Sequence, residues 1–102
     1  MESIQVSDIV RAWAGRDKDN LFFVVGTTED DMILLADGKG RRLEAPKRKK
    51  RKHVRLEVRR ESRVATKLLQ GEKVTNSELR RALAEFKAES GKAEGGMEYG
   101  KR

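Results

Sequence analysis

Cysteine is absent from the chain, so a disulfide framework, a Cys-ligated zinc site and a thiol nucleophile are all excluded. Histidine occurs once, at His53, inside a run of bases, a poor setting for the base of a Ser-His-Asp triad. Large apolar side chains are scarce: one Trp, one Tyr and three Phe in 102 residues, so any core is small. Long hydrophobic runs are missing too. The longest, 21–25 and 32–36, fall far short of the roughly 18 residues a membrane span needs. The opening Met1-Glu2-Ser3-Ile4-Gln5 has neither the basic-then-apolar pattern of a signal peptide nor a Met-Gly myristoylation start. A cytoplasmic protein with no membrane partner is the expectation. Proline occurs once, at Pro46, where it marks a boundary.

What the chain has in abundance is charge, at 40% of residues, and its distribution is uneven. Residues 41–60 hold eleven Lys or Arg against Glu44 and Glu57, a net of +9, whereas the rest of the chain nets −2. Positive charge gathered into one fifth of a sequence calls for a polyanionic partner. Lys and Arg neutralise phosphates and release condensed counterions, which gives affinity without reading sequence.

The first half reads as short strands. Residues 8–14 are β-branched and aromatic, and the polar turn 15–20 follows, with Gly15 and Asn20 able to take positive φ. Leu21-Phe22-Phe23-Val24-Val25 is apolar on both faces, which suits a central strand. After the acidic connection 27–31 comes a third strand, 32–36, and then the hairpin signal Asp37-Gly38-Lys39-Gly40. Residues 41–44 are expected to form a short fourth strand, stopped by Pro46. Residues 47–52 are six bases in a row, and 53–58 alternate as a fifth strand with Val54, Leu56 and Val58 on one face. Short strands joined by tight turns pair antiparallel, and so few large residues enclose a core only by curling into a small barrel.

The second half changes period. Residues 62–70 place Val64 and Leu68 on one helical face, with Gly71 as the stop. Thr75-Asn76-Ser77-Glu78 is a capping box, and Leu79, Ala82, Leu83 and Phe86 recur at the spacing of an amphipathic helix. From Ser90 the pattern lapses, which predicts a disordered tail over 90–102. The expected organisation is a barrel over 1–58 that includes a basic segment at 47–55, then a helical extension over 59–89, then the tail.

The segment 10–18, Val10-Arg11-Ala12-Trp13-Ala14-Gly15-Arg16-Asp17-Lys18, leading into Phe22-Phe23-Val24-Val25, resembles a KOW motif. Together with Ala36-Asp37-Gly38, Pro46-Lys47-Arg48-Lys49-Lys50 and the helix start 74–83, the chain is similar to the bacterial KOW-domain RNA-binding proteins. These are relatives of a KOW-containing large-subunit ribosomal protein of archaea and eukaryotes. The resemblance covers roughly residues 6–88, and it implies an SH3-like barrel and a role in RNA or ribosome binding. Many KOW loops carry Gly after the Lys, where this chain has Asp19-Asn20. An acid there repels phosphate, so residues 47–55 are expected to carry the RNA contact ahead of the loop tip.

The candidate RNA-binding residues are Lys47, Arg48, Lys49, Lys50, Arg51, Lys52, His53 and Arg55. Lys49, Lys50 and Arg51 are expected at the surface, replaceable by Glu without loss of fold. Arg16 and Lys18 add contacts from the loop, with Asp17 pairing one of them. Lys39, Arg41 and Arg42 either extend the patch or pair with Asp37 and Glu44. His53 either stacks on or bonds RNA, or is a solvent-facing strand start. Trp13, Phe22 and Phe23 are assigned to the core; stacking on bases falls to any of them left exposed. RNA is favoured over DNA because no helix carries a purely basic face for a major groove.

Glu29-Asp30-Asp31 has no fixed ligand geometry and reads as a solvated loop, and Asp37-Gly38-Lys39-Gly40 lacks the spacing of a P-loop. No cofactor and no catalysis are implied. Ribosomal or other structured RNA is the expected partner. Two other readings stand beside it. One is a KOW module docking on a ribosomal protein or RNA polymerase through the Phe22-Phe23 strand or the helices. The other is a helix-turn-helix over 62–89 that brings Asn76, Ser77, Arg80 and Arg81 to DNA, against which stand Glu78, Glu85 and Glu89.

Overall fold

Two-sided burial of one apolar strand organises the molecule. The computed structural model describes residues 3–95, the side chains of 91–95 excepted. Its strands are β1 (Ile9–Ala12), β2 (Leu21–Thr27), β3 (Ile33–Ala36), β4 (Lys47–Lys49) and β5 (Val54–Val58), followed by helices α1 (Arg63–Gln70) and α2 (Asn76–Gly95). All strands pair antiparallel in one sheet of order β4-β3-β2-β1-β5. In β2, Phe22 and Val24 face one way, into a cluster with Val10, Ala12, Ile33, Leu35 and Val54. Leu21 and Phe23 face the other way, with Ile9 and Ala36, and are covered by Val64 of α1 and Leu79 and Leu83 of α2. A strand buried on both faces has no polar side, which is why residues 21–25 show no alternation.

The sheet is curled, and the chain connectivity requires it. Its edge strands β4 and β5 are consecutive, joined only by Lys50 and a single 3₁₀ turn, Arg51–His53. Five residue steps reach about 18 Å fully extended, and a 3₁₀ turn shortens this further. A flat five-stranded sheet would hold its edges about 19 Å apart. The edges therefore approach each other around the Phe22 cluster. Register shifts at Ile9/Val10 and at Val24/Gly26 mark where the strands bend. The sheet does not close: β4 and β5 remain its two edges.

The fourth strand differs from the expectation. Residues 41–44 are not a strand, because their neighbourhood's backbone donors are already engaged. The Asp37 carboxylate accepts from the N–H of Lys39 and of Arg41, each at 2.9 Å. The N–H of Leu43 donates to Asn76 Oδ1 at 2.8 Å, and that of Ala45 to the Arg42 carbonyl at 3.0 Å. With those donors committed to turns and to a side chain, no ladder forms. The strand begins only after Pro46, as Lys47–Lys49 against Ile33–Leu35.

The helices follow the sequence closely. Ser62 Oγ accepts from the Ala65 N–H at 3.1 Å to start α1, and Gly71, at φ 73°, ends it. In the capping box Thr75 Oγ1 accepts from Glu78 N–H at 3.1 Å, and Glu78 Oε1 accepts from Thr75 N–H at 2.9 Å. Helix α2 runs to Gly95, past the expected tail start at Ser90; residues 96–102 lie outside the described residues. Leu79 and Leu83 are buried against the sheet, each worth about 1.5–3 kcal/mol. The helices thus complete one face of the core.

Candidate nucleic-acid interface

Strand and turn geometry divides the basic segment into cations that hold the fold and cations that face solvent. Successive strand residues alternate in direction, so in β4 Arg48 points outward and is exposed while Lys49 points in and is 8% exposed. The Lys49 ammonium donates to the carbonyl of Ala14 at 2.9 Å. Ala14 follows β1, and two strands lie between β4 and β1 in the sheet, so this side chain braces the curl from the inside. Arg51 is half-buried. Its Nε pairs with Asp31 at 3.1 Å, and its guanidinium also donates to the Ile4 carbonyl. The expectation that Lys49, Lys50 and Arg51 are all exposed therefore holds for Lys50 alone.

Other bases of the segment are tied to specific acids. Arg59 grips the fully buried Asp8 carboxylate with two bonds of 2.8 Å. Arg60 pairs with Glu89 and lies over the Phe86 ring at 5.4 Å. Arg41 pairs with Asp17 at 2.9 Å, and this overturns the expected pairing of Asp17 with Arg16 or Lys18. Arg42 approaches Glu44 at 3.9 Å. Glu44 also accepts from Asn76 Nδ2 at 2.7 Å, and that bond, more than Arg42, holds its carboxyl below the usual range. Among the described residues, Lys47, Arg48, Lys50, Lys52 and Arg55 make no side-chain hydrogen bond or ion pair.

The β1–β2 loop adds to this set. Gly15 takes φ 85°, and the second left-handed residue is Asp19 at φ 73°, not Asn20. Asp19 donates its N–H to the Ala12 carbonyl at 2.7 Å, and Arg11 donates to the Asp19 carbonyl at 2.8 Å. Asp17 is buried by its pair with Arg41. Arg16 and Lys18 are left exposed, with no side-chain partner among the described residues. Arg11 also binds Glu57 at 3.3 Å, and Arg55, its register partner on β5, has no side-chain partner among the described residues. Lys39 lies elsewhere, lining a cleft against α2 with Asn20, Arg80 and Lys87.

Trp13 contradicts its assignment to the core. It is 49% exposed and belongs to neither buried cluster. Ala12 is the last residue of β1 and fills the inner face, so the next residue leaves the sheet. The Trp13 N–H donates to the His53 carbonyl at 3.1 Å, one step beyond the Ala12–Val54 pair. The rings of Trp13 and His53 meet edge to face, centroids 6.2 Å apart and planes at 86°. The indole thus stands beside the link that joins the two sheet edges. The exposed cations Arg16, Lys18, Lys50 and Lys52 come from the two segments that meet there.

Phe22 and Phe23 are 1% and 2% exposed, so their strand offers no apolar surface for a docking protein. At the start of α2, Asn76 binds the Leu43 N–H and Glu44, while Arg80 donates to the Gly38 carbonyl at 2.6 Å and to Ser77 at 3.0 Å. Three of the four residues named for DNA contact are thus engaged within the fold. In the acidic turn, the Thr28 hydroxyl donates to Asp30 and is the main cause of that carboxyl's lowered pKa; Arg48 contributes least. Asp31 is held by Arg51. Among the described residues no group of three His, Asp or Glu is arranged to hold a metal, and no helix is long and apolar enough to cross a membrane. No protein-family model matches the chain, and no curated protein matches it.

Proposed function

We propose that the chain is a non-catalytic RNA-binding protein of the KOW type, acting on ribosomal or other structured RNA in the cytoplasm. Its curled sheet is read as an SH3-like barrel left open along the seam between β4 and β5. The observation that carries the reading is the sorting of cations. Arg41, Lys49, Arg51 and Arg59 each meet a carboxylate or carbonyl, whereas Arg16, Lys18, Arg48, Lys50, Lys52 and Arg55 are exposed and make no side-chain hydrogen bond or ion pair among the described residues, Arg48 acting on Asp30 only through its field. Six like charges on the seam and its flanking loop and strands repel one another, and a phosphate backbone relieves that repulsion while releasing counterions. Binding of this kind fixes register on the backbone and carries little sequence information.

The helix-turn-helix alternative requires Asn76 and Arg80, which are committed to residues 38–44. A docking role for the Phe22-Phe23 strand requires side chains that the core encloses. The RNA reading draws on exposed side chains that make no hydrogen bond or ion pair among the described residues.

The test is a charge-reversal variant built on exposure: Arg48→Glu, Lys50→Glu and Lys52→Glu together. Titrated against a ribosomal RNA fragment and a DNA duplex at two salt concentrations, the wild type binds the RNA and weakens steeply with salt. The triple variant melts like the wild type and loses the binding. Retained affinity in a folded triple variant rejects the site.

A further inference from the structure

We infer that Trp13 is a stacking platform for an unpaired base, so that the site prefers single-stranded segments or loops of RNA to a perfect duplex. This rests on the RNA reading above and names the form of RNA it takes. Every phenylalanine of the sheet is buried, yet the only tryptophan of the chain is half exposed where the segments that carry the exposed Arg16, Lys18, Lys50 and Lys52 meet.

Its backbone is pinned on both sides. The Trp13 N–H is held by the His53 carbonyl, the preceding Ala12 carbonyl by the Asp19 N–H, and the following Ala14 carbonyl by the Lys49 ammonium. The ring is steadied by the perpendicular His53. An aromatic held in place loses little freedom when a base lies on it. A cationic track with an aromatic step is the physical recipe for holding a single strand: the bases stack while the phosphates are neutralised. In a duplex the base faces are already stacked on each other, and an A-form helix offers only its phosphates, hydroxyls and groove edges. The buried Lys49 is here a positioning residue. It acts through Ala14 and does not touch the ligand.

Because the chain has one tryptophan, its fluorescence reports directly on the site. The experiment titrates the full chain with a ten-nucleotide oligouridylate, an RNA duplex of equal length and inorganic polyphosphate, reading tryptophan emission in the wild type and, for wild type, Trp13→Ala and Trp13→Phe alike, the anisotropy of end-labelled RNAs. The oligouridylate is expected to quench the emission, while the duplex and the polyphosphate leave it nearly unchanged. Trp13→Ala should lose about tenfold in affinity for the single strand, with its salt slope and its duplex affinity unaltered. Trp13→Phe should keep most of the binding. Equal loss on single strand and duplex, or no loss on either, overturns the inference, as does unquenched emission in a saturated wild-type complex. In those cases the cationic RNA site still stands. A wild type that binds neither RNA overturns both.

Discussion

Lys49 and Lys50 are chain neighbours in a six-base run, yet their removal should have opposite consequences. Lys49 is 8% exposed and its ammonium bonds the Ala14 carbonyl at 2.9 Å, whereas Lys50 is exposed and has no side-chain partner among the described residues. In Lys49→Met the stem is retained and the charged hydrogen bond is lost. Such a bond contributes about 1.5–3 kcal/mol, partly offset because an ammonium no longer has to be desolvated. The net loss is about 1–2 kcal/mol. For a domain near 100 residues each kcal/mol moves Tm by about 4–8 °C, so Lys49→Met should melt roughly 5–15 °C below the wild type. Lys50→Met should stay within about 0.5 kcal/mol. On RNA the order reverses. Lys50→Met should flatten the log–log salt slope by about 0.7, the share of one single-strand phosphate contact, and Lys49→Met should leave it unchanged. Circular dichroism melts and fluorescence anisotropy at four salt concentrations measure both. If Lys49→Met melts with the wild type, or flattens the slope as Lys50→Met does, the division of the run into brace and ligand contact is wrong.

Gly38 takes φ 80°, and a Cβ there would lie 2.2 Å from the Asn76 carbonyl oxygen. Gly38→Ala should therefore cost about 3 kcal/mol in chemical denaturation by forcing the 37–44 loop off α2, and a loss under about 0.5 kcal/mol would refute the close packing. The Lys67 ammonium first, and the Thr75 N–H second, hold the Glu78 carboxyl below its ordinary 4.5. A lowered carboxyl stabilises the fold above its unfolded value and loses that contribution as pH falls through the folded one. Glu78→Gln should then be less stable than the wild type at pH 7, with the difference closing as pH drops below about 4.5; parallel pH profiles would contradict it.

Much of the fold is legible because it is local. Ser62 and Gly71 bound α1, Thr75 and Glu78 box the start of α2, and the apolar run 21–25 announces a central strand. What escapes is decided at a distance. Residues 41–44 fail to become a strand because Asn76, more than thirty residues on, takes the Leu43 N–H. The all-basic β4 has no strand-like composition and is extended because it pairs with β3. Sequence neighbours suggest that Asp17 pairs with Arg16 or Lys18, but the curl brings Arg41 to it and frees the loop cations. Trp13 looks like core by type, and is outside because Ala12 already ends the inner row. The basic segment was readable as a cluster. Which of its members are free was not, since that depends on the carbonyls and acids that the fold delivers.

On the proposed function, the six exposed cations of the seam and its flanking loop and strands neutralise a phosphate chain. The most direct test of this is the affinity of nuclease-treated, salt-washed protein for single-stranded RNA across a range of salt. Engagement of all six predicts a log–log slope of about −4, at about −0.7 per contact. Binding whose strength ignores salt, or no binding in dilute buffer, contradicts it.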